Sequence, residues 1–257
     1  MINVEFEWFN MKPEIDFHGL KSLLRQLLDV DNTLFDISAL ADLILSQPTI
    51  GSTVKVDGDE TDPYAFLTIL NMHEHRDKPV IANLRQYLIT KSQTNPALAG
   101  LAEVLSSENN QVGLILTERL INVPSEIAPP MYTMIIDEIE AAVEDKEPYE
   151  FTHYLILSKT YKEVQSVVDQ EDNPRQKKKK QTESETFYFH PEDEVLHRNA
   201  IAFGGWEYTK DGGDAAADSK RAFQELGIRP QGHATLIAAN KFQDAVRAVE
   251  QYIGLQQ

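Results

Sequence analysis

Residues 112–121, VGLILTERLI, contain the nearly continuous apolar run Gly113-Leu114-Ile115-Leu116. An unbroken apolar run of this length is typical of a β-strand that is covered on both faces of its sheet. The Pro129–Pro130 pair that follows fits the first turn of a helix. Apolar residues at helical spacing then continue to about Asp145. The stretch therefore predicts a buried central strand followed by an amphipathic helix.

The segments on either side of this stretch alternate between strand and helix patterns. Upstream, residues 49–56 and 64–73 are apolar segments that flank a turn rich in Gly, Asp and Pro, which predicts a hairpin. Downstream, strand patterns occur at residues 151–157, 186–189, 200–208 and 232–239, and an amphipathic helix follows at residues 241–253. We therefore expect one α/β domain over residues 1–257, with a mixed, mostly antiparallel central sheet flanked by helices.

The composition is strongly acidic. The 257 residues include 24 Lys and Arg against 41 Asp and Glu, a formal net charge of −17. Because neutralising phosphates requires clustered cations, this balance argues against direct binding of nucleic acid and against an anionic membrane surface as the main partner. A basic protein is the natural counterpart of such a surface. Cysteine is absent, which excludes disulfides, thiolate zinc sites and cysteine nucleophiles.

Acidic residues are concentrated in the middle of the chain, where residues 101–150 contain eleven acidic and two basic residues, a net charge of −9. On the expected helix, three acidic residues share one face and two stand beside it, namely Asp137, Glu140 and Glu144, with Glu138 and Asp145. Like charges at this spacing repel each other and destabilise an isolated helix. The cluster is either a solvated face that keeps the protein soluble or a binding surface for a basic partner, and the regional concentration of charge adds weight to the second interpretation.

Residues 169–185, DQEDNPRQKKKKQTESE, are charged and contain no apolar side chain. A segment of this composition has too little apolar surface to bury, which predicts an exposed loop or a disordered insert. It contains one basic block, formed by Lys177, Lys178, Lys179 and Lys180. The block is either solvated charge that offsets its acidic neighbours or a nuclear-import signal, since import receptors bind exposed lysine runs.

Short motifs typical of metal and cofactor sites occur, but each lacks the structural context that its chemistry requires. His73-Glu74-His75 would place two imidazoles on one face of a strand, with no third ligand nearby. The Glu-x-x-His strings at 150–153 and 194–197 resemble those of di-iron helix bundles, whose four long helices are missing. The string Arg229-Pro230-Gln231-Gly232-His233-Ala234 matches acetyl-coenzyme A loops, yet it precedes a strand and does not open a helix. We therefore expect no catalytic residues, no metal site and no bound cofactor.

Two longer stretches are more specific than these motifs. Thr117–Ile136, TERLINVPSEIAPPMYTMII, and Phe187–Tyr208, FYFHPEDEVLHRNAIAFGGWEY, together resemble the BCCIP family, whose fungal members are often called BCP proteins. Shorter segments near the N-terminus are also similar to the family: Val4-Glu5-Phe6, Asp16-Phe17-His18-Gly19, and the Asp57–Asp59 hairpin leading to Leu70-Asn71-Met72. The resemblance extends from about residue 2 to residue 208 and weakens after the Gly212–Gly213 loop.

The resemblance implies a non-enzymatic, partner-binding protein. Fungal members of the family are associated with nuclear export of a lipid kinase and with chaperoning a newly made basic protein of the large ribosomal subunit. Animal members bind a breast-cancer-susceptibility protein and a cyclin-dependent kinase inhibitor. The family fold is similar to that of the GCN5-related acetyltransferases without their cofactor loop. Members usually begin with a long acidic, serine-rich tail, whereas this sequence begins almost at its first strand.

Charge and resemblance together predict an acidic adaptor or chaperone for a basic client, acting in protein transport, nuclear export and ribosome biogenesis. Such a protein would shuttle between nucleus and cytoplasm with nuclear transport receptors as further partners. An acidic surface can occupy the cationic surface of an unassembled ribosomal protein and so suppress its non-specific contacts with RNA. Two other classes stay open, a scaffold for cell-cycle or DNA-repair proteins and a cryptic acetyl-coenzyme A-dependent acetyltransferase.

Overall fold

The computed structural model describes residues 5–163, 185–209 and 228–255, and the strands in these ranges form one mixed sheet. The strands are β1 (Glu7–Asn10), β2 (Ser52–Lys55), β3 (Ala65–Asn71), β4 (Val112–Arg119), β5 (His153–Glu163), β6 (Thr186–Tyr188), β7 (Ala200–Trp206) and β8 (Ile228–Ala238). Neighbours follow the order β1-β2-β3-β4-β5-β8-β7, and β6 pairs with one end of β5. The pair β4 and β5 is parallel, and the other pairs described are antiparallel. The predicted β2–β3 hairpin is present.

Helices cover both faces of this sheet. They are α1 (Pro13–Leu28), α2 (Ile37–Leu45), α3 (Pro79–Ser92), α4 (Ala99–Ser106), α5 (Ala128–Glu144), α6 (Glu192–Leu196) and α7 (Ala239–Gly254). Helices α1 to α4 pack on one face, and α5, α6 and α7 pack on the other. The predicted α/β class, with a mixed, mostly antiparallel sheet flanked by helices, is confirmed. Among the described residues, no helix combines the length and the apolar character needed to cross a membrane.

β4 is the buried central strand that the sequence predicts. Leu114 and Leu116 enter the core beneath α1 to α4, whereas Ile115 enters the core beneath α5 and α7. Gly113 is required by close packing, since a Cβ at this position would lie 2.5 Å from the Cδ1 atom of Ile69. Helix α5 then connects β4 to the parallel strand β5.

β4 and β5 are paired over only part of their lengths. Their register runs from Val112 opposite His153 to Leu116 opposite Leu157, after which the two strands separate. Beyond this point β6 takes the place of β4 and pairs with residues 160–162 of β5. The chain that follows β6 forms α6 and reaches back to the end of β4, so that the gap between the strands is filled by the protein itself.

The structure corrects the predicted ends of two strands. β5 continues six residues beyond Leu157, and β8 begins at Ile228, four residues before the predicted start. The two strands pair without interruption from His153 opposite Ala238 to Glu163 opposite Ile228, and these backbone hydrogen bonds extend them into polar sequence. Of the predicted insert 169–185, only residue 185 lies within the described residues, so the basic block at 177–180 lies outside them.

Candidate functional site

The C-terminal half of α5 and Asp145 directly after it carry the predicted acidic cluster. Asp137, Glu140, Glu144 and Asp145 are exposed, while Ile139 on the other side of the helix is buried in the core. No cation among the described residues lies within ion-pair distance of these four carboxylates. We refer to these four exposed residues as the acidic surface.

Glu138, the fifth residue of the predicted cluster, is engaged within the fold. Its carboxylate accepts hydrogen bonds from the Gly51 backbone N–H at 2.7 Å and from the Ser52 hydroxyl at 3.3 Å. Burial raises the pKa of Glu138, although these two hydrogen bonds oppose the shift. The side chain therefore connects α5 to the start of β2, and the structure separates it from the acidic surface that the sequence predicted it to join.

The acidic surface is unfavourable for the helix that carries it. The C-terminal end of a helix has a partial negative charge, so carboxylates placed there are repelled. The last turn of α5 contains no basic residue, and residues 137–150 include seven acidic residues and one basic residue. Lys146 directly after the C-cap is the one basic residue in this stretch, so most of the negative charge at this helix end is available to an external cation.

A second group of charges lies buried where β4 and β5 separate. One oxygen of Glu118 is 2.7 Å from the Lys159 Nζ atom, and the other is 3.1 Å from the His190 Nε2 atom. Arg119 donates two hydrogen bonds to the carboxylate of Glu192, one of them at 3.1 Å. We refer to these five residues and the neighbouring buried Asp193 as the buried ionic cluster. It links β4, β5 and the chain after β6.

The charged groups of this cluster shift one another's pKa values. Burial alone would raise the pKa of Glu118, but the hydrogen bonds and charges of His190 and Lys159 outweigh it and lower that pKa to about 2. Burial alone would lower the pKa of His190, but its contact with Glu118 raises it. Burial raises the pKa of Asp193 to about 7. The ionised Glu118 and the protonated His190 thus stabilise each other inside the fold.

The buried ionic cluster has no room for a substrate. The cavity beside it, lined by Thr117, Glu118, Arg119 and Tyr132 among others, has a volume of about 10 Å³. A cavity of this size holds roughly one water molecule. The sequence offers one signal for the cluster, because two charged residues directly follow a run that is buried on both faces and therefore require internal partners. The cluster is best described as a structural link between strands.

The string at residues 229–234 lies inside β8. Its backbone groups pair on one side with β5, where Gly232 is opposite Lys159, and on the other side with β7, where Gly232 is opposite Trp206. The side chain of Arg229 is exposed and pairs with Glu207 at 3.2 Å. Because the whole string is extended and paired with β5, it offers no helix N-terminus to a pyrophosphate.

The histidine motifs that the sequence singles out also remain separate. His73 accepts a hydrogen bond from the Arg76 guanidinium at 2.6 Å, which makes its Nε2 atom the acceptor. His153 lies next to the hydroxyl of Thr152 at 2.9 Å. Over residues 5–163, 185–209 and 228–255, no group of three or more His, Cys, Asp or Glu side chains is arranged to hold a metal ion.

Comparison with known proteins places these features in a family. The BCCIP family model matches residues 1–196. The protein BCP1 of Gibberella zeae is 59% identical over 100% of this chain and 89% of its own length, and protein bcp1 of Schizosaccharomyces pombe is 45% identical over 95% and 88%. The crystal structure of BCP1 from Saccharomyces cerevisiae superposes with a TM-score of 0.66 at 26% identity, covering 96% of this chain and 88% of that one. The chain therefore belongs to the BCCIP family and is a relative of the fungal BCP1 proteins.

Proposed function

We propose that this protein is an acidic adaptor or chaperone that binds a basic protein client through the acidic surface of α5. The observation that carries the proposal is the exposed set of four carboxylates without cationic partners among the described residues, two of which, Glu144 and Asp145, lie at the negative end of a helix. Charge of one sign concentrated at one place steers an oppositely charged partner and speeds its association. This charge pattern lowers the stability of the helix, and a role in binding a client explains why it is present.

The client that fits best is a newly made protein of the large ribosomal subunit. Such proteins carry dense positive charge that is meant for RNA, and the acidic surface would occupy that charge until assembly. In this role the protein supports ribosome biogenesis, protein transport and nuclear export, and it shuttles between nucleus and cytoplasm. Nuclear transport receptors are its further partners, and a lipid kinase is a second candidate client. Lys177–Lys180, outside the described residues, is the proposed import signal.

We also propose that the protein has a fold of the GCN5-related kind without the cofactor loop, and that it is not an acetyltransferase. In this sheet an antiparallel half is followed by the parallel pair β4 and β5, which separate after Leu116 and Leu157. In this chain β6 and the buried ionic cluster occupy the separation. Calorimetric titration with acetyl-coenzyme A should therefore give no binding in the micromolar range. Saturable binding with acetyl transfer to a basic peptide would instead establish an enzyme.

The client is identified by affinity purification of the full chain followed by mass spectrometry, and the surface is then tested by association kinetics. The test variant combines Asp137→Lys, Glu140→Lys and Glu144→Lys, which changes the net charge by +6. The matched control changes the charge by the same amount on α1, α2 and α4, which cover the opposite face of the sheet. It combines substitutions of three exposed acidic residues, Glu14→Lys, Asp42→Lys and Glu103→Lys.

At low salt the test variant should associate with the ribosomal protein about tenfold more slowly than the wild type, with a weaker dependence on salt. The control should change the association rate by less than about threefold, because electrostatic steering depends on where the charge lies as well as on its sum. Equal slowing by both variants would show that bulk charge is responsible. An unchanged association rate for the test variant would show that the acidic surface does not bind the client and serves only to keep the protein soluble.

A further inference from the structure

Two histidines from distant parts of the chain meet at β8, the neighbour of the edge strand β7. His197 begins the short 3-10 turn His197–Asn199 after α6, and His233 lies in β8. Their Nε2 atoms are 3.2 Å apart. His233 is buried and His197 is partly exposed, so the pair lies at the edge of the core.

Neighbouring side chains fix both rings. The Nδ1 atom of His233 is 2.9 Å from the hydroxyl of Ser158. Nδ1 therefore already has a hydrogen-bond partner, and Nε2 is the nitrogen that faces His197. The ring of His197 stacks on Phe203 with centroids 3.9 Å apart and planes inclined by 12°. Tyr188 lies edge-on to both imidazoles. The two Nε2 atoms are thus held close together by contacts that involve other parts of the rings.

The orientation of the rings does not suit a linear hydrogen bond. A linear bond across this gap would place the ring centroids about 5.5 Å apart, whereas they are 5.0 Å apart with the planes inclined by 39°. The shorter centroid distance shows that at least one ring is inclined to the line that joins the two Nε2 atoms, so the nitrogen lone pairs do not both lie along that line. Two imidazole nitrogens bound to one tetrahedral zinc ion lie about 3.3 Å apart. The observed distance of 3.2 Å matches that spacing.

We propose that the Nε2 atoms of His197 and His233 bind a divalent first-row transition-metal ion, with zinc as the test case. Imidazole nitrogen is a preferred ligand of zinc and of its neighbours copper and nickel. Ser158 has the position of the outer-shell partner that orients a metal-bound histidine through its second ring nitrogen. Water completes the coordination, because the described residues provide no third side chain of the usual kinds. The site shares His197 with the Glu-x-x-His string at 194–197, but its second ligand is His233 of β8 and not Glu194.

Zinc binding is measured on the full chain after treatment with a chelator, by calorimetry at pH 7 and by competition with a chromophoric chelator. We expect saturable binding of one equivalent of Zn²⁺. His197→Ala should weaken the affinity at least about tenfold, and Ser158→Ala should weaken it by about 10-fold or more. His75→Ala, at a partly exposed histidine of the other predicted motif, is the control and should leave the affinity unchanged.

A wild-type measurement keeps the proposal testable if a variant fails to fold. One equivalent of Zn²⁺ should shift the imidazole proton resonances of His197 and His233 together, and the other histidines should be unaffected. The proposal is overturned if no saturable binding occurs, which would leave a bent hydrogen bond as the only interaction of the pair. It is also overturned if His75→Ala abolishes binding while His197→Ala, shown by circular dichroism to be folded, does not.

Discussion

Replacing Glu192 by Gln removes the anionic partner of Arg119 where the chain after β6 closes against β4. Both side chains are buried, with 9% of Arg119 and 3% of Glu192 exposed, and they are joined by two hydrogen bonds. Removing one partner of a buried ion pair leaves an uncompensated charge and costs about 3–5 kcal/mol. Because Gln keeps an oxygen that can accept one of the bonds, we expect a loss near the lower limit, about 3 kcal/mol.

The loss is measured as the free energy of unfolding from urea titrations followed by circular dichroism. In a chain of this size 1 kcal/mol corresponds to about 2–4 °C, so the melting temperature should fall by about 6–12 °C. Asp244→Asn is the control, because it removes one partner of an ion pair that is exposed to solvent. Asp244 is exposed and lies 3.5 Å from Lys241, and its substitution should cost less than about 1 kcal/mol.

A double variant separates the lost charge pair from lost packing. Arg119→Met combined with Glu192→Met replaces both charges by apolar side chains, and it should be less destabilised than the sum of the two single changes. If the free energy of unfolding of Glu192→Gln is within about 1 kcal/mol of the wild-type value, the ion pair does not hold α6 in the gap between β4 and β5. That result would refute the interpretation of the buried ionic cluster as a structural link.

Three further predictions concern other charged groups. The contact with Glu118 raises the folded-state pKa of His190 above 6.5. The stabilisation by protonated His190 should therefore be complete below about pH 6.5 and be lost as the pH rises through the raised pKa. In urea titrations from about pH 6 to 9, His190→Gln should remove this decrease in the free energy of unfolding. Glu138→Gln should destabilise the protein by about 1–3 kcal/mol because it weakens the bonds to Gly51 and Ser52, whereas Glu140→Gln, at an exposed site, should change the unfolding free energy by less than about 0.5 kcal/mol. Replacing Lys177–Lys180 by Gln should leave the melting temperature unchanged and cause the tagged protein to accumulate in the cytoplasm, and a normal rate of nuclear entry would exclude the import signal.

Most helices and strands follow from local patterns in the sequence. Side-chain periodicity depends only on backbone geometry, so the run at residues 113–116 predicts the buried strand β4, and Pro129–Pro130 predicts the start of α5. The net charge likewise argues against some classes of partner without reference to the fold. The predicted acidic cluster could be located on its helix, because neighbours on a helix are close in sequence.

Strand ends and side-chain partners depend on contacts between distant residues. β5 and β8 continue into polar sequence because each provides the other with backbone hydrogen bonds, and these leave no apolar signal. Glu138 differs from Glu140 because Gly51 and Ser52, 86–87 residues away, donate hydrogen bonds to it. Helical spacing alone cannot distinguish the two carboxylates.

The buried ionic cluster and the histidine pair are the features that sequence patterns could not assemble. Glu118 and His190 meet because β4 leaves β5 and the chain after β6 fills the space. His197 and His233 meet because β7 and β8 pair beside that chain. Local sequence determines which residues are charged and which elements carry them, but strand order and register place these groups within hydrogen-bonding distance, since contacts across a sheet have no fixed spacing along the chain.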